Sequence, residues 1–63
     1  MNFQFSWKAV NVVTGQIEGM YDQIVFGENI TQAVLNWSSM HGELGADEDG
    51  IALEILGIKE VTI

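Results

Sequence analysis

The chain has no cysteine and no arginine in its 63 residues, and lysine occurs twice, as Lys8 and Lys59. Without cysteine there is no disulfide staple and no thiolate metal site, a usage that fits the reducing cytoplasm expected as its location. With no fixed positive charge between Lys8 and Lys59, the chain lacks the cations that release counterions from phosphates. Direct nucleic-acid binding is therefore not expected, and neither is binding to an anionic membrane. No apolar run approaches the roughly 18 residues of a membrane-spanning helix. The start, Met1-Asn2-Phe3-Gln4-Phe5-Ser6-Trp7, has no basic region leading into an apolar stretch and is not read as a secretory signal.

The chemistry-bearing residues are equally sparse. His41 is the single histidine, and a metal site needs several ligands at suitable spacing. As a general base it would need a nucleophile and an orienting acid, and Ser38, one turn earlier, has no such acid in evidence. Its structural reading is a cation, when protonated, at a helix C-terminus. The seven glycines are scattered and form no strand, Gly-rich loop and helix cradle for phosphates. No catalytic residue, metal or cofactor is expected.

What the chain has in excess is acid. Glu18, Asp22, Glu28, Glu43, Asp47, Glu48, Asp49, Glu54 and Glu60 bring the formal net charge to −7. Four of them, Glu43, Asp47, Glu48 and Asp49, stand in the glycine-rich stretch Gly42 to Gly50. In a calcium loop, Asp47 and Asp49 would be the third and fifth positions and Gly50 the sixth. The first and twelfth would then be Gly45 and Leu56, neither of which supplies a carboxylate. Two readings of the acidity remain: solubility, or attraction to a basic surface on another protein.

The patterning reads as a single small domain over residues 1–63, of α+β class. Phe3, Phe5, Trp7 and Ala9 alternate with Gln4, Ser6 and Lys8, the period of a half-buried strand. Thr14-Gly15 supplies a hairpin turn. Gln16 to Phe26 is a second, antiparallel strand of ambiguous facing, because Ile17 and Val25 share one parity while Met20, Ile24 and Phe26 share the other. Gly19 is a natural bulge position. Ile30, Ala33, Val34, Trp37, Met40 and Leu44 recur at helical steps and predict one buried helix face. Asn29 and Gln32 stand in capping-box position, and Gly42 and Gly45 offer exits. Ile51 to Leu56 reads either as strand, with Gly57 as a bulge that returns Ile58 to the interior, or as a short helix. Lys59 to Ile63 is strand in both readings. The expected fold is β-β-α-β, a three-stranded antiparallel sheet with one helix packed on one face.

Two surfaces stand out. Leu35 lies opposite the helix stripe and should be exposed. On the face of the sheet away from the helix, Val10, Val12 and part of the Met20, Ile24 and Phe26 set should form an apolar patch. An open strand edge is a further place for pairing.

The layout of Phe5-Ser6-Trp7-Lys8-Ala9, then Gly27-Glu28-Asn29-Ile30-Thr31-Gln32-Ala33, then Ile58-Lys59-Glu60-Val61, in a compact acidic chain, resembles small acidic bacteriophage inhibitor proteins. Anti-CRISPR proteins and the phage inhibitor of bacterial RNA polymerase are examples. The likeness is one of element order across most of the chain. It implies stoichiometric binding to a host protein, as a nucleic-acid mimic at a basic surface. The first functional expectation is accordingly a non-catalytic protein-binding module, an inhibitor or modulator in the host cytoplasm. Glu43, Asp47, Glu48 and Asp49 would attract its partner, and Leu35 or the open sheet face would anchor it. The alternative is a homo-oligomeric structural or accessory protein, a homodimer formed through that open face.

Overall fold

The structure is a computed structural model that describes residues 1–42 and 49–62. Its elements run β1 (Asn2–Asn11), β2 (Ile17–Phe26), α1 (Ile30–His41) and β3 (Ile51–Val61). The three strands form one antiparallel sheet in the order β2-β1-β3, so β1 is central and both later strands are edges. The α+β reading holds, and Ile51 to Leu56 is strand rather than helix.

The β1–β2 hairpin closes through a side chain and a glycine. Asn11 Oδ1 accepts the backbone N–H of Val13 at 3.0 Å and of Thr14 at 3.2 Å. Gly15, at φ 77°, adopts the left-handed backbone that this turn requires. Each edge strand then carries one irregularity against β1. On β2 the ladder shifts between the Ala9–Gly19 and Val10–Ile17 pairs, which leaves Glu18 as the extra residue. On β3 it shifts between the Ser6–Gly57 and Trp7–Ile55 pairs, leaving Leu56 extra. That second bulge turns Ile58 inward alongside Leu53 and Ile55, all of which pack against the core.

The start of α1 is fixed by two reciprocal side chains. Asn29 Oδ1 accepts the Gln32 N–H at 2.9 Å. Gln32 Oε1 accepts the N–H of Glu28 at 2.6 Å, one residue before the position a capping box would use. The last strand residue and the helix are tied together, since Asn36 Nδ2 donates to the Phe26 carbonyl at 2.8 Å. Between them, Gly27 approaches so closely that a Cβ there would lie 2.5 Å from the Ala33 backbone nitrogen. The helix leaves at Gly42, whose N–H bonds the Ser38 carbonyl at 2.7 Å.

The core is a single aromatic layer. Phe3, Phe5, Trp7 and Ala9 of β1 meet Val25 of β2 and Ala33 and Trp37 of α1. Trp37 is fully buried; its ring stacks on Phe5 at 5.9 Å between centroids and meets the edge of Trp7 at 5.3 Å. Such pairs contribute about 0.5–1.5 kcal/mol each beyond the area they bury. The expected helix stripe is narrower than its sequence period implies. Ile30 and Met40 are exposed: Ala33, Val34 and Trp37 supply the apolar contact, and the last turn meets the sheet through His41, on Trp7 and Gln23, and through the Met40 sulfur on Gln23. Leu44, the last member of that stripe, and Gly45 lie outside the described residues.

Trp37 carries one flaw: its indole Nε1 is buried without a hydrogen-bond partner. A domain of 63 residues has a total stability of only about 3–9 kcal/mol. Trp37→Ala is expected to remove about 3–5 kcal/mol and leave the chain largely unfolded in urea titrations followed by circular dichroism. Trp37→Phe should cost under about 2 kcal/mol, because the loss of an unsatisfied donor worth about 1–3 kcal/mol offsets part of the cavity.

Candidate functional site

The register decides which residues share the face away from α1. Rows across β2, β1 and β3 read Ile17–Val10–Ala52, Met20–Lys8–Glu54, Asp22–Ser6–Gly57, Ile24–Gln4–Lys59 and Phe26–Asn2–Val61. Their in-between neighbours Tyr21, Gln23 and Val25 lie on the helix side. The ambiguity of β2 is thereby resolved: Met20, Ile24 and Phe26 stand together on the open face, at 65%, 44% and 62% exposure, with Ile17 beside them. These large apolar side chains occupy both halves of β2, with Asp22 between Met20 and Ile24. The central column, Asn2 to Lys8, is polar.

The charges on this face balance. Both lysines of the chain lie on it, with Asp22 and Glu54. Lys8 Nζ pairs with Glu54 Oε2 at 3.3 Å, and Ser6 Oγ donates to Asp22 Oδ1. The acid excess lies elsewhere, on Glu28, Asp49 and Glu60 and, in sequence, on Glu43, Asp47 and Glu48; Glu18 borders the face at its bulge.

Of the expected contact residues, Leu35 and Asp49 are described. Leu35 is 65% exposed, as its place on the helix wheel requires, but it stands on the outer side of α1, in the layer opposite the open face. Apart from His41, no residue of α1 is ionisable, so Leu35 sits on an uncharged helix surface. Asp49 is exposed just before β3. Glu43, Asp47 and Glu48 lie outside the described residues. Both ends of their segment are fixed: Gly42 at the close of α1, and Gly50, whose carbonyl accepts the Val12 N–H at 2.9 Å beside the hairpin.

His41 is held by its neighbours on the sheet and helix. Its Nε2 lies 2.6 Å from Gln23 Oε1, and its ring packs at 4.8 Å from that of Trp7 and 5.2 Å from that of Trp37. It borders an open groove of about 310 Å³ shared with Trp7, Ala9, Tyr21 and Leu53, and among the described residues of that lining there is no acid to orient the imidazole. Among the described residues no group of three His, Cys, Asp or Glu side chains could hold a metal ion. Among the described residues no helix is long and apolar enough to cross a membrane.

Sequence reasoning missed the pairing of both lysines with the apolar column. Its signal was available only through register: Lys8 and Met20 share a row, as do Lys59 and Ile24, and neither relation is visible along the chain. Comparison with known proteins finds no matching family model, no matching curated protein and no matching solved structure.

The two sides of β2 should respond differently to substitution. Val25→Ala, at a position 3% exposed, is expected to cost about 1–3 kcal/mol of folding stability. Met20→Thr and Leu35→Glu should stay within about 0.5 kcal/mol of the parent in the same denaturant titration.

Proposed function

We propose that the protein is a non-catalytic protein-binding module that docks on a basic surface of a host protein complex in the cytoplasm, in the manner of a small phage-encoded inhibitor that mimics nucleic acid. The observation that supports this reading is the separation of charge. The described charges of the open face balance, while along the chain four of the nine acids fall within residues 43–49. Grouped carboxylates raise the rate of encounter with a basic partner and disfavour acidic ones. Leu35, a large apolar side chain on an uncharged helix surface, supplies an anchor that desolvates on contact. No arrangement of nucleophile, base and orienting acid among the described residues competes with a binding role.

The test uses the tagged chain against bacterial lysate at low and moderate salt. Beside it run a variant with Glu43→Gln, Asp47→Asn, Glu48→Gln and Asp49→Asn, and the Leu35→Glu variant. The expected outcome is one nucleic-acid-binding complex retained at low salt, released by added salt, and lost by the neutralised variant at both. Leu35→Glu should weaken retention while leaving its salt dependence in place. Retention that is indifferent to salt and to neutralisation would rule the electrostatic docking out.

A further inference from the structure

We propose that the open sheet face is the contact surface for a second copy of this chain, which packs face to face on it about a two-fold axis running across the strands through the Asp22–Ser6–Gly57 row. This inference stands on the open face alone and is independent of the docking proposed above.

The first argument is electrostatic. A face with two lysines and two acids offers nothing to steer a strongly basic or strongly acidic partner. It is suited to a surface of its own kind, because an isologous interface needs self-complementarity.

The second argument is the order of the rows. Rotation about the stated axis reverses the rows while each strand lies over its own copy. Ile17 then lies over the second copy's Phe26, and Met20 over its Ile24. Glu54 lies over its Lys59, and Ala52 over its Val61. Apolar groups meet apolar groups along β2 on either side of Asp22, and opposite charges meet along β3. An axis along β1 instead would place Met20 on Glu54 and Ile24 on Lys59, stranding charge on apolar surface. The like-charge meeting in the chosen arrangement is Asp22 with Asp22, and each carboxylate is already held by the Ser6 hydroxyl.

The third argument concerns the other routes. Both sheet edges are blunted, as native edges are. Asp22 puts a carboxylate at the middle of β2, Asn36 occupies the Phe26 carbonyl, and the Leu56 bulge interrupts β3. Area sets the strength of the association. Three strands of about ten residues span roughly 33 Å by 14 Å, about 460 Å² per copy and about 900 Å² in all. This is at the low end of specific interfaces, so the dimer forms in the micromolar range and dissociates on dilution.

The test is sedimentation equilibrium across the micromolar range on the parent chain, on Lys59→Glu, on Glu54→Lys and on an equal mixture of the two variants. The parent mass should rise toward twice 7.0 kDa. Each variant alone faces like charge with like at two symmetric places and should bind itself at least tenfold more weakly. In the mixture both places pair Glu with Lys, and the dimer should return. Recovery on mixing also shows that both variants are folded. Phe26→Asp, at an exposed position outside the charge pairs, should abolish the dimer while retaining the parent's circular dichroism. A parent chain that remains monomeric throughout overturns the proposal. So do single variants that dimerise as the parent does, or a mixture that stays monomeric when the parent does not.

Discussion

Everything in this small fold depends on the seating of Trp37 against the aromatic row of β1. Phe5 and Trp7 offer a flat ring and a second ring at right angles, and the indole of α1 fills the corner between them. Ala33, one turn earlier, lets the helix come down onto Gly27 and close the gap. Those contacts make one layer of core and no second one. The molecule is a slab of 37 × 17 × 12 Å, with a radius of gyration of 12.3 Å against about 11 Å expected of a compact chain this long. Among the described residues, seven apolar side chains are buried while twelve large ones are exposed. Short chains are always pressed in this direction, because surface falls more slowly than volume. Here the consequence is directional: Ile17, Met20, Ile24 and Phe26 of β2 gather on the face opposite the helix, and Tyr21 alone of the exposed apolar groups of that strand lies on the helix side.

The distribution of charge follows the same division. The sheet face without a helix holds both cations and matches them with acids. Of the remaining described carboxylates, Glu18 stands at the β2 bulge, Glu28 at the helix entry, and Asp49 and Glu60 near the two ends of β3. A chain at −7 repels its own kind at a distance, an effect that salt screens within about 10 Å at 0.1 M. A neutral contact face confines that repulsion to the outside of a pair. A dimer formed this way leaves Leu35 and the outer side of α1 uncovered, so self-association does not compete for that anchor.

The sequence announced much of this. Strict alternation from Phe3 to Ala9 marks a strand with one buried side. The Asn29 and Gln32 pair marks the helix start, where both side chains bond backbone N–H groups. Gly57 marks the β3 irregularity that keeps Ile58 inward. The facing of β2 was not legible, because apolar residues occur at both parities, and only the pairing of Phe3 with Val25 and of Gln4 with Ile24 chooses between them. Met40 and Ile30 looked buried because helical periodicity reports direction around the axis and says nothing of how far the sheet extends beneath each end. The balance of charge on the open face could not be read at all, since it joins residues from three strands far apart in the chain.

The most direct test of this division into a helix-covered core and a self-complementary open face is an isotope-filtered NOE experiment on an equal mixture of labelled and unlabelled chains. It is run at a concentration where the mass has doubled. The account requires intermolecular contacts from the Met20 and Ile24 methyl groups to each other, and from Ile17 to the Phe26 ring. Contacts confined to Leu35 and the outer side of α1, with none along β2, would contradict it.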